Sequence, residues 1–284
     1  MILDEIAAKT RLRVGAAKQT VPPGLMRSRA EACGGTEAAA AGPLPAERLP
    51  FEGALAAPGL SFICEVKRAS PSRGLIAPDP EGFPYLAIAK EYEAAGAGAI
   101  SVLTEPDYFL GSTVYLKEIA AAAGIPVLRK DFIIDEYQIY EAKVLGAQAV
   151  LLICALIDKT TLGNFLALAR SLSLAVLTEV HHRAELETAL DCGARIIGIN
   201  NRDLTDFTVD LARSEELCPL IPPGHLVVSE SGVHTKEDVT RLANCGVDAL
   251  LVGESLMKAP DKRAFLRNLQ GVPGLSTGRP VLPG

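Results

Sequence analysis

The chain has 284 residues, 49% of them hydrophobic, and a formal net charge of −6. That balance fits a soluble globular fold and excludes a disordered chain, and no apolar run approaches the ~20 residues needed to cross a bilayer. The acidic balance argues against nucleic acid as a general partner, and no membrane partner is expected. Met1-Ile2-Leu3-Asp4-Glu5 brings acids at once, without the basic-then-apolar order of a signal peptide, so a cytoplasmic location is expected. Six cysteines (Cys33, Cys64, Cys154, Cys192, Cys218, Cys245) form no C-x-x-C pair and mostly sit inside apolar runs. They read as buried thiols, not as a disulfide or zinc framework.

Residues 2–19 set Ile2, Leu3, Ile6, Leu12 and Val14 among charges, a surface-helix pattern that Val21-Pro22-Pro23-Gly24 stops. Residues 27–46 are poor in large apolar side chains and rich in Ala and Gly, and read as a loosely ordered excursion. Glu47 to Ala57 reads as a short helix closed by Pro58-Gly59. Then β-rich runs recur at 61–66, 99–104, 126–130, 149–155, 175–180, 195–200, 226–231 and 249–253. The segments between them carry helical periodicity and commonly end in a glycine turn, at Gly96, Gly124, Gly146, Gly193 and Gly246. Strand–helix units of this number and order predict an α/β fold, a (β/α)8 TIM barrel with an N-terminal helical extension. A doubly wound open sheet competes, but the only Gly-x-Gly, Gly96 to Gly98, precedes a strand instead of following one. One domain is expected over 1–270, including N-terminal helices within 1–59, with a Gly/Pro-rich flexible tail at 271–284.

In such a barrel the functional groups sit at the C-terminal ends of the strands. The first strand end puts Glu65 and Lys67 on one face, where a bare ion pair is an equally good reading. The loop that follows carries cations and hydroxyls around Ser70, and suits an anionic ligand as well as solvent. In Val127-Leu128-Arg129-Lys130-Asp131, alternation turns Leu128 and Lys130 inward and Val127, Arg129 and Asp131 toward the helices. A strand-end lysine is commonly a structural ion-pair member; facing a core, it is also a group whose pKa is tuned for acid/base work. Glu179 falls in register with Leu177, and an inward carboxylate is costly unless paired or active. Asn200 shares its face with Gly198 before the turn through Arg202 and Leu204. The last two strands end in Ser229-Glu230-Ser231-Gly232 and Val252-Gly253-Glu254-Ser255, small residues that let backbone N–H groups reach a phosphate. Two carboxylates and two ammonium groups around one pocket push their pKa values apart and favour a functional Lys130. His181 and His182, at a turn into a helix, read as capping or surface residues.

These strand ends carry a family pattern. From about Ile2 to Gln270 the chain resembles the indole-3-glycerol phosphate synthases of tryptophan biosynthesis. The resemblance rests on FICEVKRASPS (62–72), ISVLTE (100–105), VLRKDFI (127–133), Glu179-Val180-His181, INNRDL (199–204) and SESG (229–232). It implies a lyase acting on 1-(2-carboxyphenylamino)-1-deoxyribulose 5-phosphate: an anthranilate ring carbon joins the ketone, then carbon dioxide and water leave. In its terms Lys130 is the general acid on the ketone oxygen and Glu179 the base of the later proton removal. Lys67 holds the substrate carboxylate and serves as a second acid, while Glu65 and Asn200 position the lysines and substrate hydroxyls. Ser231, Gly232, Gly253 and Glu254 match the phosphate cup, Glu254 through its backbone N–H. Phe109, Phe132, Leu151 and Leu204 supply the apolar wall, and Ser70 and Arg202 complete the substrate-binding set. No metal or cofactor is implied, because the iminium-like intermediate is itself the electron sink. The expected partner is the phosphorylated small molecule, with other tryptophan-pathway enzymes as further candidates.

A sister phosphate-binding barrel, phosphoribosylanthranilate isomerase, expects a Cys/Asp acid–base pair where this chain has Glu65 and Lys67. A catalytically silent barrel has no need of opposed acids and bases. The Ala/Gly-rich stretch at 32–42 departs from the family and bears on how the N-terminal extension meets substrate.

Overall fold

In the computed structural model, which describes residues 2–33, 49–76 and 82–271, eight parallel strands close into a barrel in chain order. They are β1 (Ser61–Val66), β2 (Ala99–Leu103), β3 (Val127–Lys130), β4 (Ala149–Ile153), β5 (Ala175–Val180), β6 (Ile196–Asn200), β7 (Leu226–Glu230) and β8 (Ala249–Val252). β1 pairs with both β2 and β8 and so seals the ring. The strands agree with the expected runs to within two residues; the largest difference is at β4, where Cys154–Leu156 turns as a 3-10 helix. Period-two alternation builds two layers. Ile63, Leu128, Leu151, Leu177, Ile196, Val228 and Leu251 fill the barrel interior, while Cys64, Val102, Val127, Val150 and Ile197 meet the helices outside.

The helices are α1 (Ile2–Thr20), α2 (Pro23–Cys33), α3 (Pro50–Leu55), α4 (Tyr85–Ala94), α5 (Thr113–Ala122) and α6 (Glu136–Val144). After them come α7 (Lys159–Ser171), α8 (Arg183–Asp191), α9 (Ala212–Leu217), α10 (Lys236–Asn244), α11 (Glu254–Lys258) and α12 (Lys262–Gln270). Among the described residues no helix is long and apolar enough to cross a membrane.

Three expectations are corrected. The proline pair does stop α1, but Pro23 then opens α2, a position where its missing N–H costs nothing. The first residues of the expected excursion, 27–33, are therefore helical; Met26 and Ala30 are buried, and small Ala30 lets the helix lie close. The rest of that excursion, residues 34–48, and the expected tail beyond Gly271 lie outside the described residues. Second, α3 begins at Pro50, so the helix expected over 47–57 is shorter. Third, only Cys64 and Cys218 are buried; Cys33 is exposed at the end of α2, and the other three are half-buried near helix ends and the barrel rim.

α1 is fastened to the barrel through polar groups. Arg13 pairs with Asp131 at 2.7 Å and donates to the Thr104 carbonyl at 3.2 Å, and Lys18 pairs with Asp135 at 2.6 Å. Arg129, fully buried, reaches Asp131 at 3.1 Å and Glu141 at 2.8 Å. Arg129 and Asp131 thus face the helices, as alternation requires.

Candidate active site

Every strand ends its inward face at the same rim, and the fifteen residues singled out above, from Glu65 to Glu254, all line one cavity there. Lys67 lies 2.5 Å from Glu65, two residues along the same face of β1. Lys130 Nζ, at the end of β3, lies 3.5 Å from Glu179 Oε2 and 3.4 Å from Glu230 Oε2. Asn200 Nδ2 donates to Glu179 Oε1 at 3.0 Å, and Asn200 Oδ1 accepts from Ser231 Oγ and from the Arg202 backbone N–H, each at 3.0 Å. Those three bonds fix the amide, so β5, β6 and β7 hold one another's polar ends in register.

Glu230 is a residue that sequence reasoning passed over. It is 1% exposed, its carboxylate oxygens make no hydrogen bond, and Lys130 is its near charge. Its signal was present: Val228 points inward, so Glu230 must as well. The room for it comes from Gly198 on β6, where any Cβ would overlap the Glu230 carboxylate.

The two carboxylates flanking Lys130 are driven in opposite directions. Burial raises both. At Glu179 it is outweighed by the Lys130 charge, His181 and the Asn200 bond, which hold the group well below the usual carboxylate range. At Glu230 burial prevails over Lys130, helped by the charges of Glu179 and Glu65, and the carboxyl is pushed up to about 7. Burial opposes the Lys130 ammonium too, but Glu230, Glu179 and Glu65 keep it charged and raise its pKa. One lysine therefore sits between a carboxylate held ionised and a carboxyl pushed toward its protonated form.

His182 caps α8, accepting from the Glu185 N–H at 3.4 Å, as expected. His181 does not stay at the surface. The turn after β5 folds its ring back, so that Nε2 lies 3.2 Å from Glu179 Oε1 and Nδ1 lies 3.2 Å from Glu185 Oε2.

Phe109 and Phe132 tilt against each other with ring centroids 5.9 Å apart, and Leu151 and Leu204 share their cavity. Ile2, Leu3 and Ile6 of α1 also reach it, which gives the N-terminal extension a direct place at the site. On the opposite side, Ser231 and Gly232 take successive positive φ values of 68° and 91°, a turn that glycine favours. The Glu254 carboxylate is engaged by Arg73 at 2.8 Å, Lys258 at 2.8 Å and Arg202 at 3.4 Å. Its side chain is thus committed to cations, which leaves the backbone as its contribution to an anion. Ser70 is buried beneath the loop after β1, with its hydroxyl 3.4 Å from that of Ser72. Among the described residues, no cluster of His, Cys, Asp and Glu is spaced to hold a metal ion.

Comparison with known proteins bears on the whole chain. The family model for indole-3-glycerol phosphate synthase matches residues 3–269. An indole-3-glycerol phosphate synthase from Ruminiclostridium cellulolyticum is 48% identical over 271 residues, covering 95% of this chain and 99% of the relative. One from Lachnoclostridium phytofermentans is 44% identical over 278 residues, covering 96% and 100%. Among solved structures, 3-hexulose-6-phosphate synthase from Salmonella typhimurium superposes with a TM-score of 0.60 at 15% identity, over 74% of this chain and 97% of that one. At that identity the likeness shows the barrel alone. With its matched length, its closed barrel and its ring of strand-end residues, the chain belongs to the indole-3-glycerol phosphate synthase family.

Proposed function

We propose that the mouth of this barrel converts 1-(2-carboxyphenylamino)-1-deoxyribulose 5-phosphate to indole-3-glycerol phosphate, with Lys130 as the first acid. The observation that carries this reading is the placement of Lys130 between Glu179 and Glu230, two buried carboxyls whose surroundings push their pKa values in opposite directions. In the first step the carboxylate-bearing ring carbon attacks the ketone carbon, and the Lys130 ammonium gives its proton to the ketone oxygen. The new C–C bond leaves an iminium at the anthranilate nitrogen. The electrons of the C–CO2 bond flow into that sink, carbon dioxide departs and the ring regains aromaticity.

Dehydration follows. The hydroxyl leaves as water with a proton from Lys67, and Glu179 takes a proton from the carbon beside nitrogen, which creates the indole double bond. Two protons are given and one is taken, so one proton enters from solvent in each turnover. Glu230, close to half protonated near neutrality, returns a proton to Lys130. Glu65 holds Lys67, and Asn200 holds Glu179. Phe109, Phe132, Leu151 and Leu204 pack against the aromatic ring. Ser231, Gly232, Gly253 and the Glu254 backbone receive the phosphate, with Ser70 and Arg202 beside it.

The test is direct. Purified protein is mixed with the carboxyphenylamino-deoxyribulose phosphate and indole absorbance is followed. Rapid product formation supports the reading, and no product at high enzyme concentration overturns it.

A further inference from the structure

We propose that His181, clamped between Glu179 and Glu185, is a positioning residue that dictates which oxygen of Glu179 receives the proton. The inference rests on the reading of Glu179 as the base. The two oxygens of that carboxylate are not equivalent. Oε1 faces His181 Nε2 at 3.2 Å and accepts from Asn200 Nδ2 at 3.0 Å. Oε2 makes no hydrogen bond and lies 3.5 Å from Lys130 Nζ in the cavity. The Asn200 bond, with the His181 ring against the same oxygen as a charge contact that makes no hydrogen bond through Nε2, holds Oε1 and leaves Oε2 to meet the substrate.

The clamp is itself held from α8. Glu185 Oε2 lies 3.2 Å from His181 Nδ1 and accepts the His181 backbone N–H at 2.6 Å. A histidine side chain 10% exposed, with a carboxylate against each ring nitrogen, can donate to both only as the imidazolium. Burial opposes that charge, but Glu179 and Glu185 prevail and push the pKa up to about 10. The other titratable groups facing this cluster do not compensate it. Burial pushes the Cys154 thiol, beyond β4, up to about 12 and keeps it neutral, and His182 contacts Glu185 from the solvent side at 3.2 Å. His181 is therefore a fixed cation behind the base. It lowers the pKa of Glu179 and orients it without touching substrate.

The experiment measures kcat, KM, the pH profile of kcat and the thermal midpoint for His181→Leu, His181→Gln, Glu185→Gln and Glu179→Gln. His181→Leu is expected to lower kcat ~10-fold or more with KM within about two-fold, since a misplaced group costs turnover more than binding. The acid limb of kcat should move to higher pH, because Glu179 loses a neighbouring cation. His181→Gln keeps a donor for Oε1 without the charge, so it should recover part of kcat while the limb stays shifted. Glu185→Gln should move the limb the same way by less. An unmoved limb with kcat near wild type in His181→Leu overturns the clamp, as does a loss that only follows the thermal midpoint. If Glu179→Gln itself keeps kcat near wild type, the base assignment falls and the clamp falls with it. If Glu179→Gln is dead while His181→Leu is normal, the clamp alone falls.

Discussion

Glu230 offers a sharp physical test, because a group useful to the reaction should be costly to the fold. At the barrel mouth Glu65 pairs with Lys67, and Glu179 is flanked by Lys130 and His181, so Glu230 only shares Lys130 and has no cation of its own. Glu230 bears that excess: burial and its acidic neighbours lift it from an ordinary 4.5 to about 7. The folded state then binds more protons than the unfolded one between those values, and stability falls as pH rises through the window. Once the carboxyl is ionised in both states the penalty is about 3 kcal/mol. Gln occupies the same space without charge and removes it. Glu230→Gln should therefore gain on wild type as pH rises, by under ~1 kcal/mol near pH 5 and about 3 kcal/mol near pH 8. Urea unfolding of both proteins at the two pH values measures the difference, in which the titrating groups remote from Glu230 cancel. The same substitution should lower kcat. A stability difference independent of pH, or a variant weaker than wild type near pH 8, would refute the argument.

Lys130→Ala should cut kcat ~10²-fold or more, as loss of a positioned acid does; a change confined to KM would make Lys130 a binding residue. Asp131→Ala leaves buried Arg129 and Arg13 short of a carboxylate, and should destabilise by about 3–5 kcal/mol in urea unfolding. Because α1 carries Ile2, Leu3 and Ile6 into the cavity, KM should rise as well. Gly198→Ala drives a methyl into the Glu230 carboxylate and should lower kcat; an unchanged kcat would show that Glu230 can move without cost. Ser231→Ala should raise KM with little effect on kcat, read from steady-state kinetics.

Period-two alternation explains both what the sequence disclosed and where it fell silent. Leu128 inward and Arg129 outward follow from strand geometry, so Lys130, Glu179 and Asn200 were legible as one ring before any coordinates. Glu230 obeyed the same rule and was lost only because Ser231 and Gly232 beside it drew attention to the loop. His181 was different. It lies one residue beyond β5, where no period applies, and its partners are Glu179 two residues before it and Glu185 four after. Only the turn itself reveals that both carboxylates meet one ring. α2 was hidden by composition, since the small side chains that suggest a loose segment also let a helix lie close to the barrel.

The strand β3 and the residues just past it divide their work by side. Lys130 points into the cavity, while Arg129 and Asp131 on the other face gather Arg13, Glu141 and the Thr104 hydroxyl into a buried network. Phe132, the next residue, returns to the cavity, and its backbone N–H is bonded to Asp131 Oδ1 at 2.9 Å. Asp131 thus sits between two residues that line the cavity, Lys130 and Phe132, while it anchors α1. A shift of α1 is felt at Asp131 through Arg13, and through Asp131 at the backbone that carries both Lys130 and Phe132. A buried ionic network is a poor source of net stability compared with apolar packing. Its value here is geometric: one carboxylate ties the N-terminal extension to the strand end that carries Lys130.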